Sequence, residues 1–212
     1  MSLESKEIIK CPECGKDNEF IVWQSLNGDL DPYAKQQLLD GTLFHFKCEC
    51  CGYESNIVYP ILYNDMSNNV MIYFVKEDEI EEIKSSFAFK SEFGQAMADY
   101  RTRIVTDQNS LREKAIIFEN KLDDRVVEIL KLIYFSNLRQ TQPDAKVEVA
   151  YFMVDNGEYY IHFLGETPLT AKVSSSLYEQ IANDLVSKLE EVEDEYIIDM
   201  QWAIKALSKK IK

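Results

Sequence analysis

The sequence predicts an α+β protein made of two domains. Two cysteine turns, at residues 11–15 and 48–52, stand among short runs of β-branched and aromatic residues. A long stretch with apolar residues spaced by threes and fours follows them, as is typical of helices. Asp155-Asn156-Gly157 then separates two further apolar runs, as in a β-hairpin. We therefore expect an antiparallel β domain with an inserted short helix over residues 1–78, and a helical plus β-hairpin domain over residues 79–212.

Length and charge narrow the functions open to such a protein. The 212 residues exceed an ordinary domain of ~100 to 150 residues, and 46% hydrophobic with 28% charged residues is a globular composition. The formal net charge is -14, so nucleic acid is an unfavourable partner. No signal peptide is recognisable, and no apolar run approaches the ~18 residues of a membrane span. We expect a cytoplasmic protein that does not act at a membrane.

The two cysteine turns have the composition of a metal site. In each, two cysteines stand three positions apart and a glycine follows, so both thiols can point the same way while the backbone bends without a Cβ clash. Four thiolates saturate a tetrahedral zinc ion at about 2.3 Å and leave no open position. We therefore expect a structural Zn²⁺ in a zinc-ribbon-like domain, with free or buried thiols as the alternative. The expected ligands are Cys11, Cys14, Cys48 and Cys51.

Two residues leave the choice of ligands open. Matching the turns residue by residue makes Cys50 a spare thiol, which is exposed and oxidisable in this interpretation. His45 lies three residues before Cys48 and is an alternative ligand, although a place in a strand is the simpler interpretation.

In the first domain, no element is predicted before Cys11. Asp31 and Pro32 should start a short helix that Gly41 ends. A short acidic helix or linker at residues 77–84 marks the domain boundary. The predicted strands are residues 19–25, 42–47, 57–59, 61–63 and 70–75, the last two joined by a hairpin loop.

In the second domain, the chain should be helical from Gln95, with a break at residues 106–110 and a capping box of Ser110 and Glu113. The helix that follows carries one wide apolar face and is interrupted near Asn120. The remaining predicted elements are strands at residues 147–154, 159–164 and 169–173, a final helical stretch after residues 174–176, and a solvated turn at residues 190–195.

One dense charged cluster falls on the long helical pattern, and its members are Asp123, Asp124, Arg125 and Glu128. Asp124 and Glu128 stand one turn apart, so together they could hold a divalent cation or serve a hydrolase-like enzyme. The plainer interpretations are a solvated stripe of alternating charges that includes Lys121 and Lys131, or an N-cap formed by Asp123 or Asp124. No catalytic residue is predicted.

Several segments together resemble the bacterial CpXC family. They are the two cysteine turns, Asp31-Pro32, residues 38–44, residues 59–65, Tyr100-Arg101 and residues 123–128. The resemblance covers most of the chain. It implies a zinc-ribbon-like domain in which the four cysteines named above are the ligands, joined to a mixed helical and β region. It brings no assigned reaction with it.

Three functions are consistent with these features. The first is a structural-zinc module that binds an unidentified protein partner or a second copy of itself, because the expected metal site is saturated and no catalytic constellation is visible. The second is a nucleic-acid-binding zinc ribbon, which the charge disfavours. The third is an enzyme that uses the charged cluster on the helix.

Overall fold

The computed structural model describes residues 1–90, 100–189 and 195–208. Within these ranges the protein is a mixed α+β fold with six helices and three sheets. The chain forms two compact units, Met1–Arg112 and Glu113–Lys212. The predicted boundary after residue 78 falls within the first unit, and the independent folding of the two predicted domains stays a prediction. None of the helices in the described ranges is long and apolar enough to cross a bilayer.

The elements follow one another along the chain with short connections. The strands are β1 (Leu3–Lys10), β2 (Asp17–Asn27), β3 (His45–Lys47), β4 (Glu54–Asn56), β5 (Ile61–Asp65), β6 (Val70–Phe74), β7 (Arg101–Val105), β8 (Val147–Asp155), β9 (Glu158–Gly165) and β10 (Leu169–Val173). The helices are α1 (Pro32–Asp40), α2 (Ile80–Lys90), α3 (Gln108–Glu119), α4 (Asp124–Thr141), α5 (Ser175–Leu189) and α6 (Met200–Ser208).

The first unit contains a five-stranded sheet of order β1-β2-β5-β6-β7 and a separate two-stranded sheet of β3 and β4. In the large sheet, β1 pairs antiparallel with β2 and β5 with β6, whereas β2 with β5 and β6 with β7 run parallel. The expectation of an antiparallel domain is therefore wrong for two of the four pairings. Parallel neighbours need a crossover connection, and α1 and α2 lie in the two connections concerned.

Two strands of this sheet were not predicted. β1 occupies Leu3–Lys10, a stretch with no alternation of apolar and polar residues, and it pairs with β2 along its whole length. β7 occupies Arg101–Val105, where a helix was expected, and its last three residues are buried. The predicted start of that helix at Gln95 lies outside the described residues.

Helix α1 matches its prediction closely. It begins with Pro32 and ends at Gly41, whose φ of 87° is left-handed. Asp31 stands at the N-cap position but its side chain caps nothing, and instead its carboxylate accepts a hydrogen bond from Ser2 Oγ. Helix α3 departs from its prediction, because Asp107 rather than Ser110 accepts the bonds of its first turn, including one from Ser110 N–H at 2.9 Å.

The second unit has a three-stranded antiparallel sheet of order β10-β9-β8. The predicted interruption near Asn120 is confirmed, since α3 ends at Glu119 and Lys121 adopts a φ of 58° before α4 begins. Ile129 of α4 packs in a buried cluster with Ile198, Trp202 and Ala203. Residues 190–194 of the predicted acidic turn lie outside the described residues.

The β8–β9 hairpin is built on the two residues that predicted it. Asn156 and Gly157 have φ values of 50° and 77°, and a Cβ at Gly157 would meet nothing within 4 Å. A Gly157→Ala variant should therefore pay only the backbone cost of a left-handed alanine, about 1–2 kcal/mol of unfolding free energy. Denaturant unfolding would measure it, with Asn156→Gly as a control that keeps the conformation accessible. An unchanged midpoint in Gly157→Ala would contradict this account of the turn.

Candidate metal centre

Two short hairpins present the cysteines. The chain between β1 and β2 forms the first turn, and the chain between β3 and β4 forms the second. In the first turn, the N–H of Cys11 donates to the carbonyl oxygen of Lys16 at 2.9 Å. The N–H of Gly15 donates back to the carbonyl oxygen of Cys11, also at 2.9 Å, and Gly15 has a φ of 70°. These two bonds close the turn and leave the thiols on its outside.

The second turn repeats the first bond for bond. The N–H of Cys48 donates to the carbonyl oxygen of Tyr53 at 2.8 Å, and the N–H of Gly52 donates to the carbonyl oxygen of Cys48 at 2.9 Å. Gly52 has a φ of 76°, close to the value in the first turn. Each partner stands at the same distance in sequence from its cysteine as in the first turn. Cys48 and Cys51 are thus the structural equivalents of Cys11 and Cys14.

The four sulfur atoms converge on one point. The Sγ atoms of Cys11 and Cys51 are 3.7 Å apart, those of Cys14 and Cys48 are 3.6 Å apart, and all four lie within 4.8 Å of one another. Zinc–sulfur bonds of about 2.3 Å in a tetrahedron place sulfur atoms about 3.8 Å apart. A disulfide would need about 2.05 Å. The four cysteines therefore form a cluster able to hold a metal ion.

The cluster is half enclosed by apolar side chains. Cys11 and Cys48 are each 1% exposed and pack with Phe46, while Cys14 and Cys51 lie nearer the surface. Partly buried apolar residues that surround this core are Ile9, Phe20, Tyr53 and Ile57. A metal held here would be shielded from water on the side of the core, which strengthens its attraction for thiolates.

The thiols differ in acidity, because their backbone surroundings differ. The N–H groups of Cys51 and Cys50 stabilise a thiolate at Cys48 and lower its pKa to about 6. At Cys51, the N–H of Tyr53 lowers the pKa, but burial and the three neighbouring sulfurs outweigh it and raise the value to about 12. Four thiols this close do not ionise together unless a cation offsets their charge. The donor set therefore fits a soft divalent metal ion.

The two residues that left the ligand set open lie outside this cluster. Cys50 occupies the place that Glu13 has in the first turn, and its side chain is exposed. His45 belongs to β3, and its Nε2 lies 3.8 Å from the carboxylate of Glu54. The identical hydrogen bonding of the two turns thus decides the assignment that the sequence alone could not.

The predicted cluster at residues 123–128 separates into two parts. Asp123 caps α4, because its carboxylate accepts a bond from the N–H of Arg125 at 2.9 Å, and the Arg125 side chain pairs with it at 2.7 Å. This pairing holds the pKa of Asp123 below its ordinary value despite burial, which acts in the opposite direction. One of the two predicted interpretations, a cap on a restarted helix, is therefore confirmed for Asp123.

Asp124 and Glu128 face the interior instead of solvent. They are 0% and 1% exposed, so the expectation of a solvated stripe is wrong. Lys114 of α3 bridges them, with its Nζ 3.2 Å from Asp124 Oδ2 and 3.0 Å from Glu128 Oε1. Lys131, which is 5% exposed, lies 3.0 Å from Glu128 Oε1.

Glu113 completes this buried charge cluster, which comprises Glu113, Lys114, Asp124, Glu128 and Lys131. Lys131 donates to both oxygens of Glu113 at 2.9 Å, and the N–H of Phe152 in β8 donates to Glu113 Oε1 at 2.5 Å. Burial raises the pKa of Glu113, and Lys131 partly opposes that shift. Burial alone would lower the pKa of Lys131, but Glu113 and Glu128 outweigh it and raise the value. The cluster ties α3, α4 and β8 together.

Comparison with known proteins gives one family and no individual relative. No curated protein and no solved structure gives a significant match. The model of the family described as CpXC protein matches residues 9–131, which is more than half of the 212-residue chain. The match includes the four clustered cysteines and extends through Lys131 of the buried charge cluster. The chain belongs to the CpXC protein family.

Proposed function

We propose that this CpXC protein holds one structural zinc ion through Cys11, Cys14, Cys48 and Cys51 and acts as a protein-interaction module. The observation that carries the proposal is the convergence of four Sγ atoms within 4.8 Å on two turns of identical hydrogen bonding. All-sulfur tetrahedral coordination is typical of structural zinc sites. Because thiolates bind zinc only in reduced form, a reducing compartment such as the cytoplasm suits this protein.

The metal in such a site stabilises structure and takes no part in chemistry. Four thiolates fill the coordination shell, so neither water nor a substrate has a place on the ion. The hairpins β1–β2 and β3–β4 are joined through the ion, and the helix α1 and the loops around it are thereby fixed as a surface. The role of the metal is therefore to support a binding surface.

Two observations favour a protein partner over the other functions. The net charge of -14 repels nucleic acid, which needs clustered lysines and arginines for its phosphates. The carboxylates of Asp124 and Glu128 are buried and engaged by Lys114 and Lys131, so they offer little to a substrate or a catalytic cation. A second copy of the chain is also a protein partner of this kind.

Metal analysis of matched cysteine variants tests the zinc assignment. We expect one zinc per chain in the purified protein, and a tetrathiolate absorption spectrum when cobalt(II) replaces it. Cys51→Ser should lose tight zinc binding, whereas Cys50→Ser, its neighbour in the same turn, should keep it, because only Cys51 belongs to the cluster. A wild-type protein without zinc affinity, or equal losses in the two variants, would refute the proposed site.

A further inference from the structure

A groove of about 610 Å³ lies on the first unit, away from the cysteine cluster in its lining. Its walls come from β1, β2, α1 with the turn before it, and residues 42–45. The volume is in the range of sites that bind small ligands or a few side chains of a peptide. Nothing in the zinc site or the buried charge cluster accounts for it.

The charge of the groove is negative. Glu4, Glu19 and Asp31 line it, and among the described residues that line it none is a lysine or an arginine. Glu19 pairs with Lys6 at 2.7 Å, but both side chains are more than half exposed, so solvent weakens that pair. The chain's net charge of -14 adds to the local potential. A cationic ligand therefore matches the groove, and phosphates or an anionic membrane surface are repelled.

Aromatic and apolar side chains lie beside these carboxylates. Trp23 of β2 stands directly opposite Glu4 in the β1–β2 ladder, so an indole and a carboxylate are neighbours on one wall. Tyr33 and Leu30 line the groove too, with 77% and 63% of their surface exposed. An indole ring next to a carboxylate can attract a guanidinium or ammonium group both by cation–π contact and by charge.

We propose that this groove binds an arginine- or lysine-bearing segment of a partner protein. The cationic side chain lies between Trp23 and Glu4, Asp31 adds attraction, and apolar side chains of the segment cover Leu30 and Tyr33. This inference names the chemistry of the partner and so rests on the proposed role as an interaction module. A peptide segment suits the groove better than a small ion, since exposed apolar surface flanks the carboxylates.

Trp23 itself provides the readout. The chain has two tryptophans, and Trp202 is 3% exposed in the core of the second unit, so ligand-dependent fluorescence reports mainly on Trp23. The probe is a capped nonapeptide that alternates arginine and leucine, and its partner has glutamine in place of arginine. We expect a saturable fluorescence change with the arginine peptide, at least tenfold weaker binding of the glutamine peptide, and loss of the signal in Trp23→Phe.

Charge-matched variants separate the groove from general attraction to an acidic protein. Glu4→Gln with Asp31→Asn should weaken binding at least tenfold. Asp144→Asn with Glu148→Gln removes the same charge at exposed positions elsewhere and should leave affinity near that of the wild type. Equal losses in the two double variants, no saturable change, or equally tight binding of N-acetyl-arginine amide would overturn the inference.

Zinc content, measured in every variant, keeps this inference distinct from the proposed function. Variants that retain one zinc per chain while the arginine peptide fails to bind would reject the groove as a binding site and leave the zinc assignment intact. Failure of the zinc measurements on the cysteine variants would reject the proposed metal site, whatever the peptide does.

Discussion

A Cys11→Ser variant should lose most of the folding free energy that a bound zinc ion supplies to the hairpins β1–β2 and β3–β4. Formation of a structural zinc site contributes on the order of 10 kcal/mol to folding, and a serine hydroxyl is a poor replacement for a thiolate. Cys11 is 1% exposed and packs with Phe46 and Cys48, so the new hydroxyl would also be buried in an apolar site. Denaturant unfolding and hydrogen exchange of the two hairpins would measure the loss.

A chelator supplies the control for this variant. Wild-type protein treated with a strong zinc chelator should fall to about the stability of Cys11→Ser, and the variant should respond little to the same treatment. If the variant unfolds at the same denaturant concentration as untreated wild type, the hairpins do not depend on a metal, and the proposed zinc site is wrong.

A Lys131→Met variant should be the most damaging substitution in the second unit outside its apolar core. It leaves Glu113 and Glu128 without the cation that lies about 3 Å from both, inside a cluster that is almost fully buried. Removing one partner of a buried ion pair costs about 3–5 kcal/mol, because a charge is left without compensation in a medium of low polarity. Unfolding by denaturant at pH 7 would show this as a shift of the midpoint.

The pH dependence of that variant has a definite sign. The pKa of Glu113 is already raised by burial, and loss of Lys131 removes a group that lowers it, so the folded variant binds protons more tightly than its unfolded chain. Stability of Lys131→Met should therefore rise as the pH falls from 7 towards about 5, and the gap to wild type should narrow. Lys146→Met breaks an exposed pair with Glu166 and should change stability little at either pH. A gap that widens at lower pH would show that the cluster is not ionised as described.

The parts of the structure that the sequence predicts well are those fixed by local geometry. The two cysteine turns follow from spacing and a glycine, and α1 follows from a proline at its start and a glycine past its end. The Asn156-Gly157 turn likewise depends only on two residues that tolerate a left-handed backbone. In each of these places, the residues that determine the conformation are adjacent in sequence.

The parts that escaped prediction depend on partners distant in sequence. β1 shows no alternation because much of it is exposed, yet a closed turn after Cys11 requires a strand on each side, and that requirement was the available signal. β7 pairs in parallel with β6 across more than 20 intervening residues, so nothing local indicates it. For the residues of α4, a buried stripe of alternating charges looks the same in sequence as a solvated one. Only the approach of Lys114 and Glu113 distinguishes them.

The identical backbone bonds of the two cysteine turns have a consequence for how this family can vary. Each turn is self-contained, so the position of its two sulfurs does not depend on the number of residues that separate it from the other turn. The intervening stretch, which carries α1 and part of the groove, can change in length and composition as long as the two hairpins still meet. A fixed anchor with an exchangeable loop is the arrangement by which one scaffold can acquire different binding specificities.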